Sequence, residues 1–388
     1  MTTFVSGNRL QLLCNGAEYF PALLAQIAQA TSEIRIETYI FEADVIGRQV
    51  AVALCAAARR GVSVHLMVDG FGAARFDRSL APELRESGVS VQIYRPERRN
   101  WVFRRHRLRR LHRKLSVFDQ RAAFVGGINI IDDSATLQIP PRFDYAVYVE
   151  GPVVAEISAA MRHVWNIVAW ASLGLKRSVP TEKRETKSHP VAGKVAAALL
   201  IRDNLRHRND IEMAYLRALH NAHDRVLIAN AYFLPGKLFR RALISAARRG
   251  IKVTLLLQGQ MEYALLHYAT LALYTRLIKA DIRIVEYRKS FLHAKVAVVD
   301  GKWATVGSSN IDPFSLLLSR EANLVVDDAV FATELEDSLN SAIKSGAVEI
   351  RLSDLRQRCW TARLASELAY GVVRMMIGFS GYGRRRRD

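Results

Sequence analysis

Two stretches of the chain carry the same side chains at the same intervals. "HRKLSVFDQRAAFVGGIN" holds His112, Lys114, Asp119, Gly126, Gly127 and Asn129. "HAKVAVVDGKWATVGSSN" holds His293, Lys295, Asp300, Gly307, Ser308 and Asn310. Lysine supplies positive charge and asparagine an amide donor, a pairing suited to the non-bridging oxygens of a phosphodiester. Asn129, Ser308 and Asn310 are therefore candidate phosphate-binding residues. Imidazole can be nucleophile, base or acid near neutral pH. One His cannot readily attack phosphorus and protonate the leaving oxygen from the opposite side at once. Two can, if the copies face each other: one forms a phosphohistidine, while the other protonates the departing alkoxide and later deprotonates the incoming hydroxyl.

The positions of these residues follow from strand geometry. His112 and Lys114 are two apart and share a strand face, as do His293 and Lys295. Each Asp ends its strand at a turn, and Gly301 sits in a hairpin position. A two-residue turn would set Asn310 opposite His293, and Asn129 opposite His112. Gln120-Arg121 are poor hairpin residues, so the first turn is expected to differ. The count leaves Asp119 and Asp300 far from the His residues, which favours a turn and ion-pair role.

The surrounding chain also repeats. "ARRGVSVHLMVDG" (58–70) matches "ARRGIKVTLLLQG" (247–259), each a basic helix end, a Gly stop and a strand. Strand-like stretches lie upstream at 33–41 and 225–233, and downstream at 89–96 and 281–288. Each half reads strand, helix, strand, helix, strand, the pattern of an α/β sheet with helices on its faces. The spacing of about 190 residues is too long for a solenoid repeat and marks a duplicated domain. The predicted units are 1–175 and 199–350, joined by a polar linker at 176–198 and followed by an amphipathic basic segment at 351–388.

The 388 residues carry a net charge of +19 and are 50% hydrophobic. Such a chain can bury ample core, and its charge suits nucleic acid or an anionic membrane surface. Cys14, Cys55 and Cys359 are too widely spaced for a disulfide framework or a zinc site, which suits a reducing compartment. No signal-peptide pattern and no confident membrane span are read. Nine Lys or Arg lie between Arg98 and Lys114, with Trp101 and Phe103 among them. This run reads as a nucleic-acid arm or as a lip that docks on anionic headgroups. On a C-terminal helix, Trp360, Leu364, Leu368, Val372, Met375 and Phe379 share one face, opposite Arg363, Glu367 and Arg374. With Arg384–Arg387 behind it, this resembles an interfacial anchor. The apolar helix expected over 261–280 could line an acyl-chain entrance or simply pack.

His-x-Lys-x4-Asp, twice per chain with Gly-Gly or Gly-Ser and Asn downstream, resembles the phospholipase D superfamily. The stretches "IANAYFLPG", "RRLHRKL", "FVGGINI", "HAKVAVVDGKWATVGSSNIDP" and "SREAN" resemble bacterial cardiolipin synthases of the shorter type, which lack the N-terminal membrane helices of the longer ones. The resemblance implies two phospholipase D-like α/β/α sandwich domains related by a pseudo-twofold axis, with mixed sheets flanked by helices. It implies a catalytic set of His112, Lys114, Asp119, His293, Lys295 and Asp300, with Asp144 and Glu321 as the acidic residues after each motif that orient the His. It also implies phosphatidyl transfer from phosphatidylglycerol through a phosphohistidine, His112 being the nucleophile and His293 the acid/base. No metal or other cofactor is expected. The expected partners are phospholipid substrates and an anionic membrane surface, at the cytoplasmic face of a bacterial inner membrane, with no dedicated nucleic-acid partner. A nuclease of the same superfamily is the second reading, and a basic binder without activity the third.

Overall fold

The computed structural model describes residues 2–96, 109–133, 141–173, 190–203, 206–312, 319–357 and 359–379. The first half contains β1 (Val5–Cys14), α1 (Asn15–Gln29), β2 (Glu33–Thr38), α2 (Val45–Arg59), β3 (Ser63–Asp69), α3 (Phe76–Ser79), α4 (Ala81–Glu86), β4 (Ser90–Tyr94), β5 (Lys114–Phe118), β6 (Ala122–Gly126), β7 (Tyr145–Glu150) and α5 (Val153–Leu173). The second contains β8 (Val195–Arg202), α6 (Asp210–His220), β9 (Arg225–Asn230), α7 (Lys237–Arg248), β10 (Lys252–Gln258), α8 (Ala264–Ile278), β11 (Arg283–Tyr287), β12 (Lys295–Val299), β13 (Trp303–Gly307), β14 (Glu321–Asp327), α9 (Ala329–Gly346) and β15 (Ala347–Glu349). Helices α10 (Leu352–Gln357) and α11 (Trp360–Phe379) follow. Strand β8 starts inside the stretch expected as linker.

The strands join one sheet in the order β15-β11-β10-β9-β12-β13-β14-β8-β1-β7-β6-β5-β2-β3-β4. Read outward from the β1–β8 pair, both halves have the same order, and β15 is added at one edge. In each half three strands run parallel (β2-β3-β4, β9-β10-β11), and the first hairpin strand (β5, β12) pairs antiparallel to them and to the second (β6, β13). The result is a mixed α/β sheet in two matching halves. The central strands are apolar along both faces, as strands covered on both sides must be. All five residues of β5, β6 and β12 are buried.

Among the described residues there are three large hydrophobic cores and one small cluster of Met67, Tyr94, Leu111, Val164 and Val168. One large core packs α1, α2 and α4 on the first half. Another packs α6, α7, α8 and α11 on the second. The third lies between the halves, with Leu115, Val117 and Val147 against Val296, Ala304 and Leu324, closed by α5 and α9. The repeated "ARRG" has one structural use in both halves. Arg60 Nη2 donates to the carbonyls of Ile27, Ala28 and Ala30 past α1, and Arg249 Nη2 to those of Leu219, His220 and Ala222 past α6. These orphan helix-end acceptors are thereby satisfied. Gly61 and Gly250 then turn the chain at φ 91° and 87°, where a side chain would be strained.

Candidate active site

Each motif strand opens at the seam between the halves, and the backbone ties it to the opposite half. His112 N donates to Arg320 O at 3.0 Å and Arg320 N to Arg110 O at 2.7 Å. In the other copy His293 N donates to Phe143 O at 2.8 Å and Phe143 N to Phe291 O at 2.8 Å. Arg320 and Phe143 immediately precede Glu321 and Asp144. These bridges therefore deliver each carboxylate to the His of the other half. His112 Nδ1 lies 3.1 Å from Glu321 Oε2, and His293 Nδ1 lies 2.6 Å from Asp144 Oδ2. A carboxylate only accepts, so each ring bonds it through Nδ1–H and keeps its Nε2 free. Sequence proximity pairs each acid with the motif it follows; in the fold the pairing is crossed.

The lysines lie beneath the rings. Lys114 Nζ donates to His112 O at 2.7 Å, and Lys295 Nζ to His293 O. Lys295 Nζ is also 3.6 Å from Asp144 Oδ2. Burial, then the neighbouring Lys295, pushes the Lys114 ammonium down to about 7. Burial pushes Lys295 down to about 8, against the pull of Asp144 and Glu321. Burial and the adjacent lysines likewise lower His112 and His293. Burial works against the ionised form of Asp144, but Lys295 and His293 outweigh it and hold the carboxyl below its ordinary range. Two lysines and two carboxylates thus balance in this buried cluster, and a phosphodiester monoanion would be matched there by protonation of one His.

Several expectations change. Both hairpins have three-residue loops, closing at Phe118↔Ala122 and Val299↔Trp303. The register is one residue off the two-residue count, so the ladder direction leads from His112 toward Ile128 and from His293 toward Ser309. The first turn does not differ from the second. Asp119 and Gln120 have φ of 50° and 55°, matching Asp300 and Gly301 at 53° and 61°. Gln120 takes the left-handed position without being glycine.

Asp119 and Asp300 are holders of the fold. Asp119 accepts from the backbone N–H groups of Thr31, Ser32 and Glu33. Asp300 accepts from those of His223, Asp224 and Arg225. Each sits a full strand from its His and pins the start of the neighbouring parallel strand. Backbone and Ser32 hydrogen bonds outweigh the burial of Asp119 and hold it down at about 2.

Ser308 also has another use than the one expected. Its Oγ donates to Glu321 Oε2 at 2.5 Å and accepts from Ala322 N at 3.0 Å, so its proton is committed to the carboxylate. In the first half Gly127 occupies this position, and a Cβ there would lie 2.4 Å from Asp144 Oδ1. Asn129 Oδ1 accepts from Ile40 N at 3.2 Å, which orients the amide. Asn310 Oδ1 is buried without a hydrogen-bond partner.

Sequence reasoning missed other residues at the site. The Tyr39 ring stands edge-on to His112 at 4.9 Å, with Lys114 Nζ 5.5 Å from its centroid. Arg113, taken as part of a basic run, points to the opposite strand face and is buried with Glu37. Its Nη2 donates to Glu37 Oε1 at 2.8 Å and to Ala160 O at 2.9 Å. Arg142 joins the halves through Asp133 and Glu262. Aligning the two repeats residue by residue would have marked Tyr39, Glu37 and Arg113, because alanine stands at all three positions in the second half (Ala231, Ala229, Ala294). Trp101, Phe103, Arg104, Arg105 and Arg107 of the basic run lie outside the described residues, as do Arg384–Arg387.

A family model described as "Cardiolipin synthase, PLD-like domain" matches residues 23–165 and 215–343. Cardiolipin synthase B of Escherichia coli (strain K12) is 38% identical over 387 residues, covering 97% of this chain and 90% of that protein. Cardiolipin synthase B of Salmonella typhimurium is 40% identical over 379 residues, with the same coverage of 97% and 90%. The crystal structure of phosphatidylserine synthase from Haemophilus influenzae Rd KW20 superposes with a TM-score of 0.69 at 14% identity, covering 98% of this chain and 95% of that one; this likeness speaks to the fold. With the model matched in both halves and the identity running nearly end to end, the chain belongs to the phospholipase D-like cardiolipin synthase family.

Proposed function

We propose that this chain is a phosphatidyltransferase that converts two phosphatidylglycerol molecules to cardiolipin and glycerol. The observation that carries the reading is the pair of His residues, each held by a carboxylate from the opposite half, above two buried lysines. In the first step His112 Nε2 attacks phosphorus. The bond from phosphorus to the glycerol oxygen breaks as that oxygen takes the Nε2 proton of His293. In the second step the hydroxyl of another phosphatidylglycerol attacks, returns its proton to His293 Nε2, and displaces His112. One phosphodiester is broken and one made, so no external energy source is required.

His293 must carry a proton for the first step, although burial and Lys295 lower its proton affinity. The bound phosphodiester anion offsets those lysine charges and favours the protonated ring. Lys114, Lys295 and the Asn129 and Asn310 amides are assigned to the non-bridging oxygens. The assignment of His112 as nucleophile follows the family resemblance.

Lipid is favoured over nucleic acid by the near full-length identity to cardiolipin synthases and by helix α11. Trp360 is 72% exposed, and Leu364, Leu368, Val372 and Met375 continue its exposed apolar face, while Ala369 and Val373 pack inward beside α8. Among the described residues no helix is long and apolar enough to cross a membrane. We assign α11 to peripheral docking on an anionic bilayer, at the inner face of a bacterial membrane. Phosphatidylglycerol vesicles incubated with the purified protein, with lipids resolved by mass, test the reading. Cardiolipin should form and should be lost in His112→Ala; cleavage of single-stranded DNA with no lipid product would instead support a nuclease.

A further inference from the structure

The acceptor lipid in this reaction brings a second phosphodiester next to the one being exchanged. Both buried lysines belong to the reacting phosphate. A second anion close by requires another cation, on the side where His293 handles the alcohol.

Arg142 occupies that place. It lines a recess with Asn129, Asp133, Asp144 and His293. Its Nε lies 3.5 Å from Asp133 Oδ1 and its Nη2 3.7 Å from Glu262 Oε1. Both separations exceed the about 2.7–2.9 Å of a charge-assisted hydrogen bond, so the guanidinium is positioned without being saturated. Its side chain is 31% exposed, which leaves it open to a ligand. Glu262 accepts from the Tyr232 hydroxyl. These two residues line a second recess with Tyr263 and with Leu266 and Thr270 of α8. Ala231, adjacent to Tyr232, donates to Ala294 O at 3.0 Å, which ties this recess to the His293 strand.

The His112 side has no such set at the matching positions. Ile40 stands where the second half has Tyr232, and Ala73 where it has Glu262. This trio therefore has no counterpart at the matching positions of the first half, where Arg110 lies 3.9 Å from Asp69 instead.

We propose that Arg142, Glu262 and Tyr232 form the acceptor-headgroup subsite. Arg142 takes the non-reacting phosphodiester of the incoming phosphatidylglycerol. Glu262, held by Tyr232, accepts a hydrogen bond from the headgroup hydroxyl that does not react. The remaining hydroxyl is then presented to the phosphohistidine. It forms the new P–O bond as the P–N bond breaks, and its proton passes to His293. The inference rests on the phosphatidyl-transfer reading.

Free glycerol can also attack the phosphohistidine, but it has no phosphate for Arg142. Phosphatidylglycerol vesicles supplied with labelled glycerol therefore offer two competing acceptors, one giving cardiolipin and the other labelled phosphatidylglycerol. Arg142→Ala should lower the ratio of cardiolipin to labelled phosphatidylglycerol roughly tenfold or more, and Arg142→Lys should restore part of it. Damage to the fold lowers both products together and leaves the ratio alone. An unchanged ratio in Arg142→Ala overturns the subsite. If that variant makes neither product, Arg142→Lys and Arg142→Gln are read by the same ratio. A wild-type protein that makes neither product contradicts the phosphatidyl-transfer reading itself.

Discussion

The two halves build the same His–Lys constellation on the same strands, yet they surround it differently. His112 has an aromatic edge beside it from Tyr39 and a longer acid, Glu321, fixed by Ser308. His293 has Ala231 in place of the tyrosine and a shorter acid, Asp144, lying close over Gly127. Behind the first strand a buried Arg113–Glu37 pair fills the space that Ala294 and Ala229 occupy behind the second. Among the described residues, the Arg142–Glu262 contact crosses between the halves on the His293 side, and α11 packs on the second half. Duplication supplies two equivalent histidines, and in the proposed mechanism the differences around them accompany a division of labour. Because each acid orients the His of the other half, neither half is complete alone.

Crossed pairing makes its largest prediction at the acids. Asp144→Asn and Glu321→Gln should each lower kcat by roughly 10²- to 10⁴-fold, since an amide no longer fixes the ring tautomer or supports its charge. Under the crossed arrangement, Asp144→Asn should slow both steps, because His293 gives a proton in the first and takes one in the second, whereas Glu321→Gln should weaken the attack by His112. Rapid-quench release of p-nitrophenol from a phosphatidyl p-nitrophenyl ester, whose leaving group needs no proton, separates them: Asp144→Asn should keep the burst and Glu321→Gln should lose it. The reverse assignment of effects would break the crossed account.

The buried pair comes next. Removing one partner, by Glu37→Ala or Arg113→Ala, should cost about 3–5 kcal/mol, because the other charge is left buried and unpaired. The double variant reproduces the alanine pair of the second half. Its cost should fall short of the sum of the singles by roughly 1–3 kcal/mol in denaturant unfolding. Strict additivity would mean that the two halves do not solve the same packing problem in two ways.

The lysines give a smaller, pH-dependent contrast. Held at about 7 and about 8 in the folded chain, Lys114 and Lys295 bind fewer protons than in the unfolded chain from those values up to about 10.4. Their contribution to stability therefore rises with pH across that window, and their cost is fully present below about 7. An arriving phosphodiester reverses the shift and draws protons in. Calorimetry with short-chain phosphatidylglycerol at pH 8, in buffers of different ionisation enthalpy, should read proton uptake. Lys114→Met should remove the larger share, since Lys114 is the less protonated of the two. Equal loss in Lys114→Met and Lys295→Met would remove the distinction. The smallest effect is expected at the periphery: Leu364→Asp with Leu368→Asp should weaken co-sedimentation with anionic vesicles severalfold, each buried apolar side chain being worth about 1.5–3 kcal/mol at most. Unchanged binding would detach α11 from the membrane.

Much of this was legible in the chain because strand periodicity and repeated spacing are local signals. His112/Lys114 and His293/Lys295 share faces for reasons visible in two-residue steps, and the doubled strand–helix order announced the matching halves. Partnership across the seam is not local. Asp144 and Glu321 stood out as acids, but only the bridges through Phe143 and Arg320 decide which ring each meets. Arg113 was hidden by its neighbours, since a run of arginines reads as a solvated surface until the strand turns one of them inward against Glu37. The hairpin register was missed by one residue in both copies because Asp119 and Asp300 were counted as strand ends, whereas their left-handed φ of 50° and 53° makes each the first residue of the loop.

The division of labour between the two histidines is tested most directly by trapping the covalent intermediate. Wild-type protein turning over labelled phosphatidylglycerol would be quenched in alkali, where phosphohistidine survives, and its peptides mapped. The label should be found on His112. Label on His293 would reverse the roles of the two halves, and stoichiometric glycerol release with no label on either would contradict a histidine-bound intermediate altogether.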